Sequence, residues 1–265
     1  MDRSEVAKEH FFTGLDHLQK EQYLEAEQRF RSSLELASDK VATYINLSFA
    51  LLKANKLEQS EATCLEGLKI DRQSSELWLN LGLVRNAMNN HAAAIDCFNN
   101  ATKIDPNYPD NWYYSGFCLS HLKRYSEALT CFEKTLDLSP YHVGAMCGIG
   151  HAQAKMNHYF SSLATFDRAI NLISHHPDPY FAKASVLQDM KQHTEAAACY
   201  KLALEHKHPD RNIIEYMIAS LLNLNPPDCP PREYVARLFD SYANEFEKHL
   251  VGRLQYAAPE RFRTI

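Results

Sequence analysis

Apolar and small residues recur at a fixed interval along most of the chain. In residues 75–108 the positions that stand out are Trp78, Gly82, Ala94, Phe98 and Pro106. The same residue types return 34 positions later at Trp112, Gly116, Ala128, Phe132 and Pro140, so residues 109–142 align with residues 75–108 without a gap. Carried outward, the interval marks four more copies. Residues 7–40 contain Gly14, Ala26 and Phe30, and residues 41–74 contain Tyr44, Leu47 and Leu51. Residues 143–176 contain Gly150, Phe166 and Ala169, and residues 177–210 contain Tyr180, Ala184, Ala196, Tyr200 and Ala203. The second copy departs from the pattern, with Ser60 and Cys64 where the others have Ala and an aromatic. Each copy reads as two antiparallel helices around a short polar turn, such as MNNH at 88–91 or LKRY at 122–125.

Simple packing rules account for the pattern. The small residue at the eighth place lets the first helix approach the second, and the Ala at the twentieth does the same from the other side. The aromatic at the twenty-fourth place fills the gap between copies. Pro106 and Pro140 stop the second helix, because proline cannot continue the hydrogen-bond ladder. No single pair can bury its apolar face alone, so the stack is the core.

This pattern and period resemble the tetratricopeptide repeat. The resemblance implies an all-α, right-handed solenoid of six helix-turn-helix repeats, at 7–40, 41–74, 75–108, 109–142, 143–176 and 177–210. Residues 211–224 read as a capping helix, with Ile213, Ile214, Met217, Leu221 and Leu222 over the last repeat and Glu215 and Ser220 toward water. Residues 225–231, NPPDCPP, cannot be helix interior and mark a stiff linker.

In this family the first helices of the repeats line a concave groove that holds protein or peptide ligands. Carried over position by position, the groove candidates are Phe11, Ile45, Asn46, Phe49, Leu79, Asn80, Leu83, Asn86, Tyr113, Phe117, His121, His151, Phe181 and Gln188. Aromatics dominate the middle of the series and charges are sparse. Such a groove suits an extended or helical peptide with apolar side chains. Asn46 and Asn80 share the sixth repeat position, where related grooves carry an asparagine ladder to ligand amides. Phe12, Tyr114, Gly148 and Ala182 take that position elsewhere, and local helix contacts are the competing role for the two amides. The Lys and Arg clamp that other members use for a C-terminal carboxylate is missing.

Composition narrows the function classes. The 265-residue chain carries a formal charge of −5, which argues against nucleic acid as a partner. No apolar run approaches a membrane span, and MDRSEVAKEHFF does not read as a signal peptide. The seven cysteines form no Cys-x-x-Cys pair and read as reduced packing residues, which together point to a cytoplasmic protein. Cys97, Cys131 and Cys199 share the twenty-third repeat position. His175, His176, His206 and His208 read as solvated turn histidines without a converging third metal ligand. The Gly-x-Gly of MCGIGHAQ, 146–153, falls inside a predicted helix, where it cannot cradle a phosphate. No catalytic, cofactor or metal residue is expected in the chain.

The tail does not repeat. Tyr234, Leu238, Tyr242, Phe246 and Leu250 recur every four residues with Phe239 beside them, so residues 232–265 read as one amphipathic helix that must dock. Residues 234–259 resemble the stretch that opens the methyltransferase half of bacterial-type tetratricopeptide–methyltransferase fusions. The matching positions are Tyr234, Leu238, Phe239, Asp240, Tyr242, Ala243, Phe246, His249, Leu250, Leu254, Tyr256 and Pro259. The resemblance implies a substrate-recruiting arm of an S-adenosylmethionine-dependent enzyme whose cofactor loop lies beyond Ile265. The alternative is a stand-alone adaptor that uses the last helix for docking or self-association, which leaves a homo-oligomer open.

Overall fold

The structure is a computed structural model that describes residues 2–224 and 230–236. The expected linker falls largely, and the tail beyond residue 236 wholly, outside the described residues. The chain divides into two compact units, the first ending at Ser174 and the second beginning at His175.

The first unit is five consecutive helix pairs. They are α1 (Arg3–Gln19) with α2 (Tyr23–Leu36), α3 (Val41–Lys53) with α4 (Leu57–Ile70), α5 (Ser75–Ala87) with α6 (His91–Ile104), α7 (Pro109–His121) with α8 (Tyr125–Leu138), and α9 (Val143–Lys155) with α10 (Tyr159–Leu172). The second unit contains α11 (Pro177–Asp189), α12 (His193–Glu205) and α13 (Arg211–Leu221). The described fold is all-α and follows the 34-residue period from Val41 onward, with paired helices falling inside each expected repeat.

Several side chains carry the register from one repeat to the next. Tyr44 Oη donates to the Ser38 carbonyl at 3.1 Å, Trp78 Nε1 to Arg72 at 3.0 Å and Trp112 Nε1 to Pro106 at 2.9 Å. Each bond reaches back six residues and pins the turn that enters its helix. The turns inside the pairs share a second device. Glu21, Asn55, Asn89, Lys123, Asn157 and Lys191 all have φ between 57° and 64°, one in each repeat. The first helix of every pair therefore ends in a left-handed residue, which glycine would adopt at least cost, yet none is glycine.

Within the first unit the core lies between the helices of each pair and between successive pairs. Phe30, Phe98, Phe132 and Phe166 are buried, and each packs against the small residue at the eighth place of its own repeat. A Cβ on Gly14, Gly82, Gly116 or Gly150 would meet that ring at 2.6, 2.4, 2.9 or 2.4 Å. The aromatic also reaches the following repeat, since Tyr114 stacks on Phe98 at 5.8 Å. It thus fills the space within its own pair as well as the expected gap between copies.

Near the end, α13 buries Ile213, Ile214 and Ile218 and exposes Glu215 and Ser220. Ile218 takes a buried place beyond those read from the sequence, while Met217, Leu221 and Leu222 are half-buried. Tyr234 lays its ring 5.4 Å from that of Tyr216 on α13.

Candidate functional site

In the first unit each odd-numbered helix contacts the next odd one, α1 to α3, α3 to α5, α5 to α7 and α7 to α9, as well as its even partner. These first helices therefore form a continuous layer, and the predicted groove residues up to His151 lie along it. Phe181 and Gln188 lie on α11 in the second unit.

Not all of these side chains face outward. Leu79 and Asn80 are buried at 9 and 7 % exposure. Asn80 Nδ2 donates to the Ile45 carbonyl at 3.0 Å and to Ser48 Oγ at 2.9 Å, so its amide ties α5 to α3. Asn46 donates to the Ala42 carbonyl of its own helix at 2.8 Å. The two asparagines thus make the local helix contacts that compete with a ligand ladder. Phe11 packs on Phe30 and Leu15 beside it, Ile45 on the Tyr44–Leu77 cluster, and Leu83 on the Phe98–Phe132 cluster. Phe49 carries Lys53 Nζ over its ring, 5.4 Å from the centroid. In the second unit Phe181 stacks on His208 at 4.6 Å, and Gln188 accepts from Tyr200 Oη at 3.1 Å.

The middle of the layer has a different character. Tyr113 packs against Tyr114, Phe132 and His142 and covers the backbone at Gly144, where a Cβ would sit 2.8 Å from its hydroxyl. Phe117, one turn further along α7, is 36 % exposed and lies 4.6 Å from the ring of His121. His121 in turn stacks on His91 at 4.6 Å with the planes 21° apart. His91 Nδ1 donates to Asn86 Oδ1 at 2.9 Å, and the same oxygen accepts from Cys118 Sγ at 3.3 Å. Burial, and then the neighbouring His121, hold the His91 imidazole below its ordinary pKa; burial does the same to His121. Both rings are therefore neutral at pH 7. His91 begins α6, outside the first-helix positions from which the groove was read, so position counting could not reach it.

Between α7 and α9 lies an open pocket of about 280 Å³, lined by Phe117, Ser120, His121, Tyr125, Phe132 and Lys155 among others. Gly148 and His151 close it from α9. Of these, Phe117, His121 and His151 were read from the sequence as candidates. Tyr125 and Phe132 belong to α8 and were not.

Of the turn histidines, His175 is exposed as expected, whereas His176 and His206 are half-buried and His208 is buried. His208 is 8 % exposed beneath Phe181, and His206 stacks on Tyr180 at 5.0 Å. His142 Nδ1 accepts from the Ala145 amide at 3.1 Å, His176 Nδ1 from Asp178 at 3.3 Å and His208 Nδ1 from Asp210 at 3.1 Å. The His142 and His176 rings cap helix starts, a role that serine, threonine, asparagine or aspartate usually fills. Among the described residues no group of three His, Cys, Asp or Glu side chains could hold a metal ion. Burial raises the Cys64 and Cys118 thiols to about 12 and Cys131 to about 11, so none supplies a thiolate at neutral pH. The two glycines of the Gly-x-Gly lie inside α9 against Phe132 and Phe166, as packing residues. No helix among the described residues is long and apolar enough to cross a membrane.

A helix-turn-helix array with a layer of first helices and a side-chain-sized pocket defines an α-helical repeat protein. Four family models, each described as a tetratricopeptide repeat, match residues 17–82, 75–108, 109–142 and 177–205, together more than half of the chain. The chain belongs to the tetratricopeptide-repeat family. Among solved structures it is similar to a tetratricopeptide repeat protein from Parabacteroides merdae, at 16% identity and a TM-score of 0.72 over 83% of this chain and 88% of that one. It also resembles Cut9–Hcn1 of the APC/C, at 16% identity and a TM-score of 0.69 over 82% of this chain and 43% of that one. YrrB, described as a TPR protein with an unusual peptide-binding site, shares 20% identity and a TM-score of 0.55 over 71% of this chain and 96% of its own. No curated protein matches the sequence.

Proposed function

We propose that the chain is a protein-binding scaffold that holds a peptide segment of its partner along the first-helix layer. The observation that carries this reading is the run of rings from Phe117 through His121 to His91, set beside the pocket between α7 and α9. Exposed aromatic and imidazole faces next to an apolar pocket favour an extended or helical segment with bulky side chains. YrrB, similar in fold and itself a TPR protein with an unusual peptide-binding site, is in keeping with a peptide ligand. Selection from a random peptide display library on the purified chain tests the reading. Peptides should be enriched, and their binding should weaken about tenfold or more in Phe117→Ala. Failure to enrich any peptide would count against it.

A second, finer reading makes the array the recruiting arm of a methyltransferase. It rests on the resemblance of residues 234–259, and the matching family models end at residue 205. S-adenosylmethionine would then bind outside this chain's repeats. Methyl transfer from labelled S-adenosylmethionine to a captured partner, by the protein encoded by the whole gene, tests it. Capture without any transfer leaves the adaptor role.

A further inference from the structure

Two successive gaps between repeats, one on each side of the second helix α4, are lined by the same repeat places and carry opposite charge. Arg31, Leu34, Glu35 and Tyr44 line the first, an open cleft of about 510 Å³ between α2 and α4. Leu65, Leu68, Lys69 and Trp78, each 34 positions later, line the second, of about 420 Å³. Helix α4 separates the two. Ala62 and Glu66, one turn apart, face the first gap, and Leu65 and Lys69, on the adjacent row of the same helix, face the second.

In the first gap Glu35 and Glu66 are exposed carboxylates. The cation beside them, Arg31, is already committed, with Nε donating to Glu27 at 2.9 Å and Nη2 to Gln59 at 3.0 Å. In the second gap Lys69 and Arg72 are exposed cations, and among the described residues no carboxylate lines it. None of the four exposed charges has a side-chain hydrogen bond or ion pair among the described residues. Leu65 stands on the ridge beside them and is 42 % exposed. The ridge is therefore apolar along its crest, anionic on one side and cationic on the other.

Such a surface is complementary to itself. An isologous contact requires that a patch match its own copy after a half-turn. A two-fold axis parallel to α4 lays the anionic gap of one copy over the cationic gap of the other, twice, and brings the two Leu65 side chains together. We infer that the α4 ridge is a contact with a second copy of this chain. Glu66 of each protomer then faces the Lys69–Arg72 side of the other. Burial of the leucine crest supplies the attraction, and the charges select this orientation over the one with the axis across α4, which would set like charges face to face. The contact uses α4 and its neighbours, so it stands whether or not the first-helix layer holds a peptide.

Sedimentation equilibrium on the full chain tests the assignment, using the wild type, Glu66→Lys, Lys69→Glu, and an equimolar mixture of the two variants. The wild type should form a dimer that loosens as salt is added, because exposed charge pairs are screened. Either variant alone sets like charges against each other and should weaken the dimer about tenfold or more. The mixture should associate again, since the Glu66→Lys copy presents added cations where the Lys69→Glu copy presents added anions. Both places are exposed, and association of the mixture would also show that both variants remain folded. A wild type that stays monomeric, a dimer that neither reversal weakens, or variants that remain apart when mixed would each overturn the assignment.

Discussion

His91 and His121 stack face to face, ring centroids 4.6 Å apart, on helices from neighbouring positions of the array. Two imidazoles so placed tolerate one proton poorly and two worse. Both sit below the ordinary histidine pKa, through burial and, for His91, through its neighbour as well. A histidine depressed in the folded state is bound by fewer protons there than in the unfolded chain. Its contribution to stability is complete above the unfolded value of about 6.5 and is lost as pH falls through that value toward the folded one. His121→Phe keeps a ring in the stack but cannot take a proton. The loss of thermal stability between neutral and mildly acidic buffer should be smaller in this variant than in the wild type; parallel losses would show that the pair does not set the slope.

Gly82 is predicted to resist even the smallest enlargement. The added methyl of Gly82→Ala would lie 2.4 Å from Phe98 Cε1, inside a fully buried ring contact. Ala184 and Tyr200, both buried in the second unit, take the same two places of their repeat, so another repeat accepts the methyl. Overpacking at Gly82 should cost about 1–3 kcal/mol, read from the denaturant midpoint. An unchanged midpoint would mean that α5 can move away from α6 without loss.

Lys191 holds a left-handed turn at φ 61° without being glycine. Replacing it with glycine removes the Cβ penalty but frees the unfolded chain, so the net gain is small. Lys191→Gly is expected to raise stability by about 0.5–1 kcal/mol. A decrease would show that contacts of the lysine stem outweigh the backbone term.

Glu27 is 8 % exposed and takes Arg31 at 2.9 Å and Lys56 at 2.7 Å, joining the first pair to the second. Burial pushes its carboxyl upward, but hydrogen bonds from Lys56 and Arg31 outweigh this and hold it below the ordinary range. Its contribution is therefore present above the unfolded carboxyl value of about 4.5 and lost as pH falls through the lower folded value. Because both cations are partly exposed, Glu27→Gln should cost only about 1 kcal/mol at neutral pH. In acid the difference between variant and wild type should vanish.

The helix pairs were legible because packing imposes a strict order on small and large residues. Gly82 and Phe98 are 16 positions apart in the chain and meet across the turn between α5 and α6. The helix after the last repeat was legible in part: Ile213 and Ile214 are buried as read, whereas Ile218 is buried without having been read and Met217, Leu221 and Leu222 are half-buried. The site was less so. Family positions located Phe117, His121 and His151 but also nominated Leu79 and Asn80, which the structure buries. Counting positions along the first helix cannot say whether an amide finds a partner inside the array, as Asn80 does at Ile45 and Ser48. Nor could it register His91, Tyr125 and Phe132, which come from second helices. The capping histidines were hidden for a different reason. Imidazole is an unusual cap, and only geometry distinguishes His142 and His176 from solvated turn residues.

The central claim is that a partner segment binds the first-helix layer at the Phe117 region rather than the outer helices. Phe160, 87 % exposed on α10, provides the comparison. A peptide selected on the wild-type chain can be titrated calorimetrically into Phe117→Ala and Phe160→Ala. The account predicts affinity about tenfold or more weaker for Phe117→Ala and unchanged for Phe160→Ala. Full affinity in Phe117→Ala with loss in Phe160→Ala would place binding on the second helices and contradict it.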